Sequence, residues 1–241
     1  VPSMALKQKL LMEPDDGGLS PLLAVLAGGS TKLTQDYIAD VRKLELTADQ
    51  RQAWLTHRTI DGFNALHAVL LSNNKGNLGR YLFEATAAKL PSEVTWDMLT
   101  TANSSGVTPL HTAAGAGSSG DLGRVLQLLQ AAAPSTAAYY AALSAETVDG
   151  HNCLHHVLAR GELAQAQRLI QTINSAVATA DAETGVAEWL DRLVFHSTGK
   201  DGLRPADAAV VGGAEMLTLF RDTYGAATHI RPSSSCPSSA S

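Results

Sequence analysis

The sequence predicts an all-α protein built from stacked copies of one helical unit. Leu22, Leu66, Leu110 and Leu154 stand 44 residues apart, and Gly18, Gly62, Gly106 and Gly150, four residues ahead of them, keep the same interval. Apolar pairs repeat it again at Tyr37-Ile38, Tyr81-Leu82, Val125-Leu126 and Leu169-Ile170. So do Leu11, Leu55, Leu99 and Leu143, seven residues before each glycine. A fixed period of this length marks a stacked repeat, in which each unit buries its apolar face only against its neighbours.

The elements follow in order. Residues 1–16 hold one helix, over 4–12, that closes a partial unit; the chain thus reads as the C-terminal part of a longer protein or a trimmed piece of one. Full units are expected at 17–60, 61–104 and 105–148. A fourth at 149–200 has a longer connection, with a helix around 187–195. A fifth at 201–230 closes the stack. Each unit opens on turn chemistry such as Asp61-Gly62, with glycine free to take positive φ. Asn64 and Thr108 can cap the coming helix, and Pro109 suits its first turn. Leu66, Val69 and Leu70 fall at helical spacing and face the stack. A second helix carries the apolar pair, with Leu219-Phe220 serving the fifth unit. A short third helix then starts at Thr47, Pro91 or Pro134 and buries Trp54, Trp96 or Tyr140. The tail 231–241 is Ser/Pro-biased and is expected to be disordered.

The words around the leucines carry a resemblance. They read Gly-Val-Thr-Pro-Leu-His-Thr-Ala-Ala at 106–114, Asp-Gly-Phe-Asn-Ala-Leu-His-Ala-Val-Leu at 61–70 and Asp-Gly-His-Asn-Cys-Leu-His-His-Val-Leu at 149–158. The fifth copy keeps Pro205, Ala208, Ala209 and Gly225-Ala226. The chain resembles the ankyrin repeat, whose signature is a turn followed by Thr-Pro-Leu-His-x-Ala. The resemblance implies an ankyrin-repeat solenoid, here with an extra short third helix per repeat. Ankyrin units run about 33 residues, so about eleven are extra here, all after the second helix. Armadillo and HEAT units approach this length but lack the turn motif. The resemblance makes His67, His111 and His155 structural, each bonding a neighbouring turn. The long three-helix variant is similar to ankyrin arrays of bacterial secreted effectors, where an array follows an enzyme domain and selects its host target.

Composition narrows the function classes. Hydrophobic residues make up 45% of the chain, enough for a continuous core, while aromatics at 5% leave the packing to Leu, Ala and Val. The net charge of −5 and the lack of a basic stripe disfavour nucleic acid as a partner. No run is long enough to cross a membrane, and no signal peptide is visible. Cys153 and Cys236 cannot build a disulfide framework, so a reducing compartment is expected: cytoplasm, or a host cytosol for an effector.

The sequence carries no catalytic constellation: no Gly-x-Ser-x-Gly, no phosphate loop, no dinucleotide fingerprint. No catalytic residue, cofactor or metal is therefore expected. The competing reading is a metal-dependent or small-molecule enzyme built on His151, His155, His156 and His196; another is a purely structural spacer. Zinc can sit on histidines at helical i, i+4 spacing, yet His151 precedes the helix and no Cys or carboxylate completes a set. Arg80, Arg124 and Arg168 recur on second helices as solvated residues or a basic ladder. Cys153 is expected to be a small core residue, and 115–120 a loose turn between helices.

A protein-binding surface is the main expectation, on a monomer, with another protein as partner. The residues after each turn glycine are Leu19, Phe63, Val107, His151 and Leu203, an apolar row where turns are usually polar. Ala24, Ala68, Thr112, His156 and Ala208 are expected to face outward on the first helices, with Leu71, Ala159 and Arg160 beyond.

Overall fold

The computed structural model describes residues 3–72, 74–178, 186–196 and 199–225. The tail 231–241 with Cys236, and Ala226 of the closing motif, lie outside the described residues. Among the described residues the chain is all-α: fifteen α-helices, one π-helical turn and no strand. α1 (Met4–Met12) opens the chain. The first helices are α2 (Pro21–Ala27), α5 (Ala65–Leu71), α8 (Pro109–Gly115), α11 (Cys153–Arg160) and α14 (Pro205–Val211). The second helices are α3 (Thr31–Arg42), α6 (Lys75–Ala87), α9 (Ser119–Ala132), α12 (Leu163–Ala178) and α15 (Ala214–Tyr224). The third helices are α4 (Ala48–Thr56), α7 (Ser92–Thr100) and α10 (Thr136–Leu143). In the fourth unit α13 (Val186–Asp191) runs on into the π turn Arg192–His196, beside the expected span.

Consecutive first helices pack on one another, α2 on α5, α5 on α8, α8 on α11 and α11 on α14. Second helices pack in parallel fashion, α3 on α6, α9 on α12 and α12 on α15. The periodic leucines Leu22, Leu66, Leu110 and Leu154 are all buried, as are Leu55, Leu99 and Leu143 of the third helices. Four of the five first helices start on the residue their sequence offers. Ser20, Asn64, Thr108 and Asn152 accept from backbone N–H groups of the first turn, the role of an N-cap. Asn64 and Asn152 also reach across, their Nδ2 donating to Met98 O at 2.7 Å and Leu193 O at 2.9 Å. One buried amide thus fixes a helix start to the third-helix segment of its own unit.

The third helix is tied in by tyrosine hydroxyls. Tyr37 donates to Leu11 O at 2.7 Å, and Trp54 Nε1 donates to Tyr37 Oη at 2.9 Å. Tyr81 repeats the first contact on Leu55 O at 2.9 Å. Trp54 and Tyr140 are buried, whereas Trp96 is only half-buried. In the fourth unit Trp189 stacks on Tyr140 at 4.7 Å and donates to its carbonyl at 2.9 Å. Between units, Arg42 is paired with the buried carboxylate of Glu84 and lies 5.6 Å from the Phe83 ring centre. Cys153 is buried, as a core residue, and burial pushes its thiol up to about 12.

Candidate functional site

The turns form a ladder along one edge of the stack. Within each, an N–H reaches the carbonyl just after the glycine: Thr59 to Phe63 O, Asn103 to Val107 O and Thr147 to His151 O, each at 2.9 Å. Between turns, Ser104 N–H donates to Asp61 O at 2.8 Å, Val148 to Ser105 O at 2.9 Å and Lys200 to Asp149 O at 2.7 Å. The fit leaves no room for a side chain at Gly62 or Gly106. Gly106 has φ of +75°, and a Cβ there would stand 2.6 Å from Val148 N.

Three imidazoles lock this ladder to the helices. His67, His111 and His155 are buried. Their Nε2 atoms face Val107 O at 2.9 Å, Ala145 O at 3.0 Å and Leu203 O at 3.1 Å. Because a carbonyl only accepts, Nε2 carries the proton and Nδ1 is left to accept. The N–H groups of Asn64, Thr108 and Asn152 donate to it at 3.3, 3.2 and 3.1 Å. Burial lowers the pKa of His67, and pushes His111 and His155 down to about 4. His57, which sequence reasoning passed over, makes a fourth such contact, Nε2 to Gly18 O at 2.8 Å. Its only sequence signal is its place one residue beyond α4.

The histidine cluster is real as a cluster. His151 stands 5.1 Å from His155 and 6.2 Å from His156, and His156 is edge-on to His111 at 5.5 Å, between ring centres. Both ring nitrogens of His155 are engaged, and His151 Nε2 faces Asp201 Oδ1 at 3.3 Å. Among the described residues no group of three His, Cys, Asp or Glu side chains is placed to hold a metal. The side chain of His196 lies outside the described residues.

The binding row needs correction. Residues after the glycines form the base of each turn, not its tip, because their carbonyls close it. Leu19 and Leu203 are exposed, but Phe63, Val107 and His151 are half-buried. Phe63 packs on the core and stacks on His67 at 5.2 Å. The tips are the residues before each glycine. There Ile60, 81% exposed, and Val148, 55% exposed, carry the apolar surface. On the first helices Ala68, Thr112 and Ala208 are buried, because the preceding unit packs over them. Thr112 turns its hydroxyl back to Thr108 O at 3.2 Å, and His156 is half-buried.

Three residues further on, the first helices do reach solvent. Ala27, Leu71, Gly115, Ala159 and Val211 share one register position and all are exposed. Arg160 is exposed too, but its Nη1 donates to Gly115 O at 2.9 Å and Gly117 O at 3.1 Å. With Gln165 Nε2 on Gly117 O at 2.5 Å, it pins the connection expected to be loose. Of the three periodic arginines, Arg124 and Arg168 are exposed and Arg80 is half-buried.

No protein-family model matches this chain, and none of the curated proteins matches it. No helix of the described residues is long and apolar enough to cross a membrane.

Proposed function

We propose that this chain is an ankyrin-type solenoid with a third helix per repeat. In this reading it recognises a partner protein along the edge formed by turn tips and first-helix ends, without chemistry of its own. The Thr-Pro-Leu-His-type turns, the imidazole-to-turn bonds and the linear packing order of the helices support the architecture.

The observation that carries the binding role is the exposed apolar row. Ile60 and Val148 protrude from the tips, and Leu71 and Val211 from equivalent places on α5 and α14. A single exposed hydrophobe is ordinary, but Ile60 and Val148 share one register position, where Asp16, Ser104 and Lys200 stand in the other units, and Leu71 and Val211 share another. The double variant I60S/V148S tests it. It keeps the wild-type melting curve and weakens partner binding by roughly tenfold or more, about 1.4 kcal/mol. Recovery of the same partner at the same strength by the double variant contradicts the reading and favours a spacer. A protein targeting module of a longer, effector-like protein is the setting this proposal fits.

A further inference from the structure

Consecutive second helices pack on one another at three junctions, α3 on α6, α9 on α12 and α12 on α15, but α6 and α9 do not pack closely. A cavity of about 390 Å³ opens there, between α6, α7 and α9. Its floor includes the buried Tyr81 and Met98, and its walls the half-buried Leu82, Leu90 and Leu128. The other junctions show what could have closed it. Across the first, Arg42 of α3 pairs with the buried Glu84 of α6. Those two positions recur 44 residues on as Thr86 and Leu128, which carry no charge. The gap between α9 and α12 is lined instead by polar side chains such as Gln130, Gln171 and Thr172.

Two exposed cations, Lys89 and Arg124, stand at the rim of the apolar cavity. Among the described residues no carboxylate pairs with either. Arg124 also departs from its repeat. Arg168 lies across Gly123, where a Cβ would stand 2.9 Å from the arginine Cδ. Arg80 reaches back to Gln35, its Nη1 2.7 Å from the side-chain amide. Arg124 leaves the equivalent Gly79 open, with nothing within 4 Å of a Cβ there.

We propose that this cavity binds a free medium-chain aliphatic carboxylate, its chain against Leu82, Leu90 and Leu128 and its head group on Arg124 and Lys89. An apolar lining draws a hydrocarbon chain out of water, and a gap in a close-packed stack forfeits contacts that the chain restores. Two cations without a carboxylate at the mouth select an anionic head over an alcohol. Volume sets the length: at roughly 30 Å³ per water-sized group, the cavity holds about a dozen non-hydrogen atoms, the size of decanoate. The cavity belongs to second and third helices, so the inference is independent of any protein bound along the turn tips.

Titration calorimetry of the full chain tests it with decanoate below its micellar concentration. Decanoate binds saturably at one site, decanol binds roughly tenfold more weakly or worse, and acetate does not bind. Arg124→Gln, at an exposed position, keeps the melting curve, lowers decanoate affinity roughly tenfold and leaves decanol affinity unchanged. Thr86→Arg combined with Leu128→Glu installs at this junction the pair that Arg42 and Glu84 make at the first, and abolishes decanoate binding. Decanoate binding that survives in that double variant, folded, overturns the inference. So does equal affinity for decanoate and decanol, an unchanged decanoate affinity in Arg124→Gln, or the lack of saturable binding. Where the double variant does not fold, Arg124→Gln decides alone.

Discussion

Leu110 shows what a single residue contributes to the stack. It is buried on a central first helix with a unit packed on either side. Leu110→Ala removes its contacts with both neighbours, and a urea melt should show a loss of about 2–5 kcal/mol. A change below about 1 kcal/mol would mean that the repeat register is misread. Phe63 and Ile60 make a contrasting pair. Phe63 is half-buried on His67, so Phe63→Ala lowers stability, though by less than the about 3–5 kcal/mol of a fully buried phenylalanine. Ile60→Ser, at an exposed tip, changes stability by no more than about 0.5 kcal/mol. Equal losses from the two changes would count against the placement of tip and base. The sequence could not separate these two residues. Gly62 announces a turn between them, but which carbonyl closes it is a matter of backbone pairing, and Ile60 and Phe63 are both apolar.

At the scale of elements, the buried histidines give the turn ladder a pH dependence. His111 and His155 are neutral in the fold, held down to about 4 by burial, while an unfolded chain takes up their protons near pH 6.5. In between, the unfolded state binds more protons than the folded one. Stability is therefore full above pH 6.5 and falls as the pH drops toward 4. Carboxylates with lowered values, such as Asp201 and Asp207, titrate below this window and add to the loss only in stronger acid. The urea midpoint should fall between pH 7 and pH 5; a flat or rising midpoint would show that the imidazoles are not buried neutral. The helices themselves were legible from sequence. α1 spans the residues expected, and the third helices begin where Thr47, Pro91 and Pro134 signal a start. The rotation of the first helices was not, because spacing fixes which side faces the core but not how far the neighbouring unit overlaps it. Ala68 and Thr112, expected to face outward, are therefore buried, while Leu71 is exposed as expected.

At the scale of the whole molecule, the first helices of the described residues pack on one another in chain order, so neighbouring units support each other. Central segments have two neighbours and terminal ones have one. Hydrogen exchange should open 203–224 before 107–130, and equal protection of the two stretches would contradict the stacking account. The proposed role belongs to this scale as well, since an interaction edge exists only when several units hold their tips in line. Periodicity made the turn edge legible in outline; its exposed apolar residues are Ile60 and Val148 rather than the whole glycine-following row. Site-specific photo-crosslinking tests the central claim most directly. A photoreactive residue at position 60 or 148 should capture a discrete protein partner, while the same residue at Gln127, exposed on the second helix α9, captures none. Capture at position 127 with silence at 60 and 148 would contradict the account.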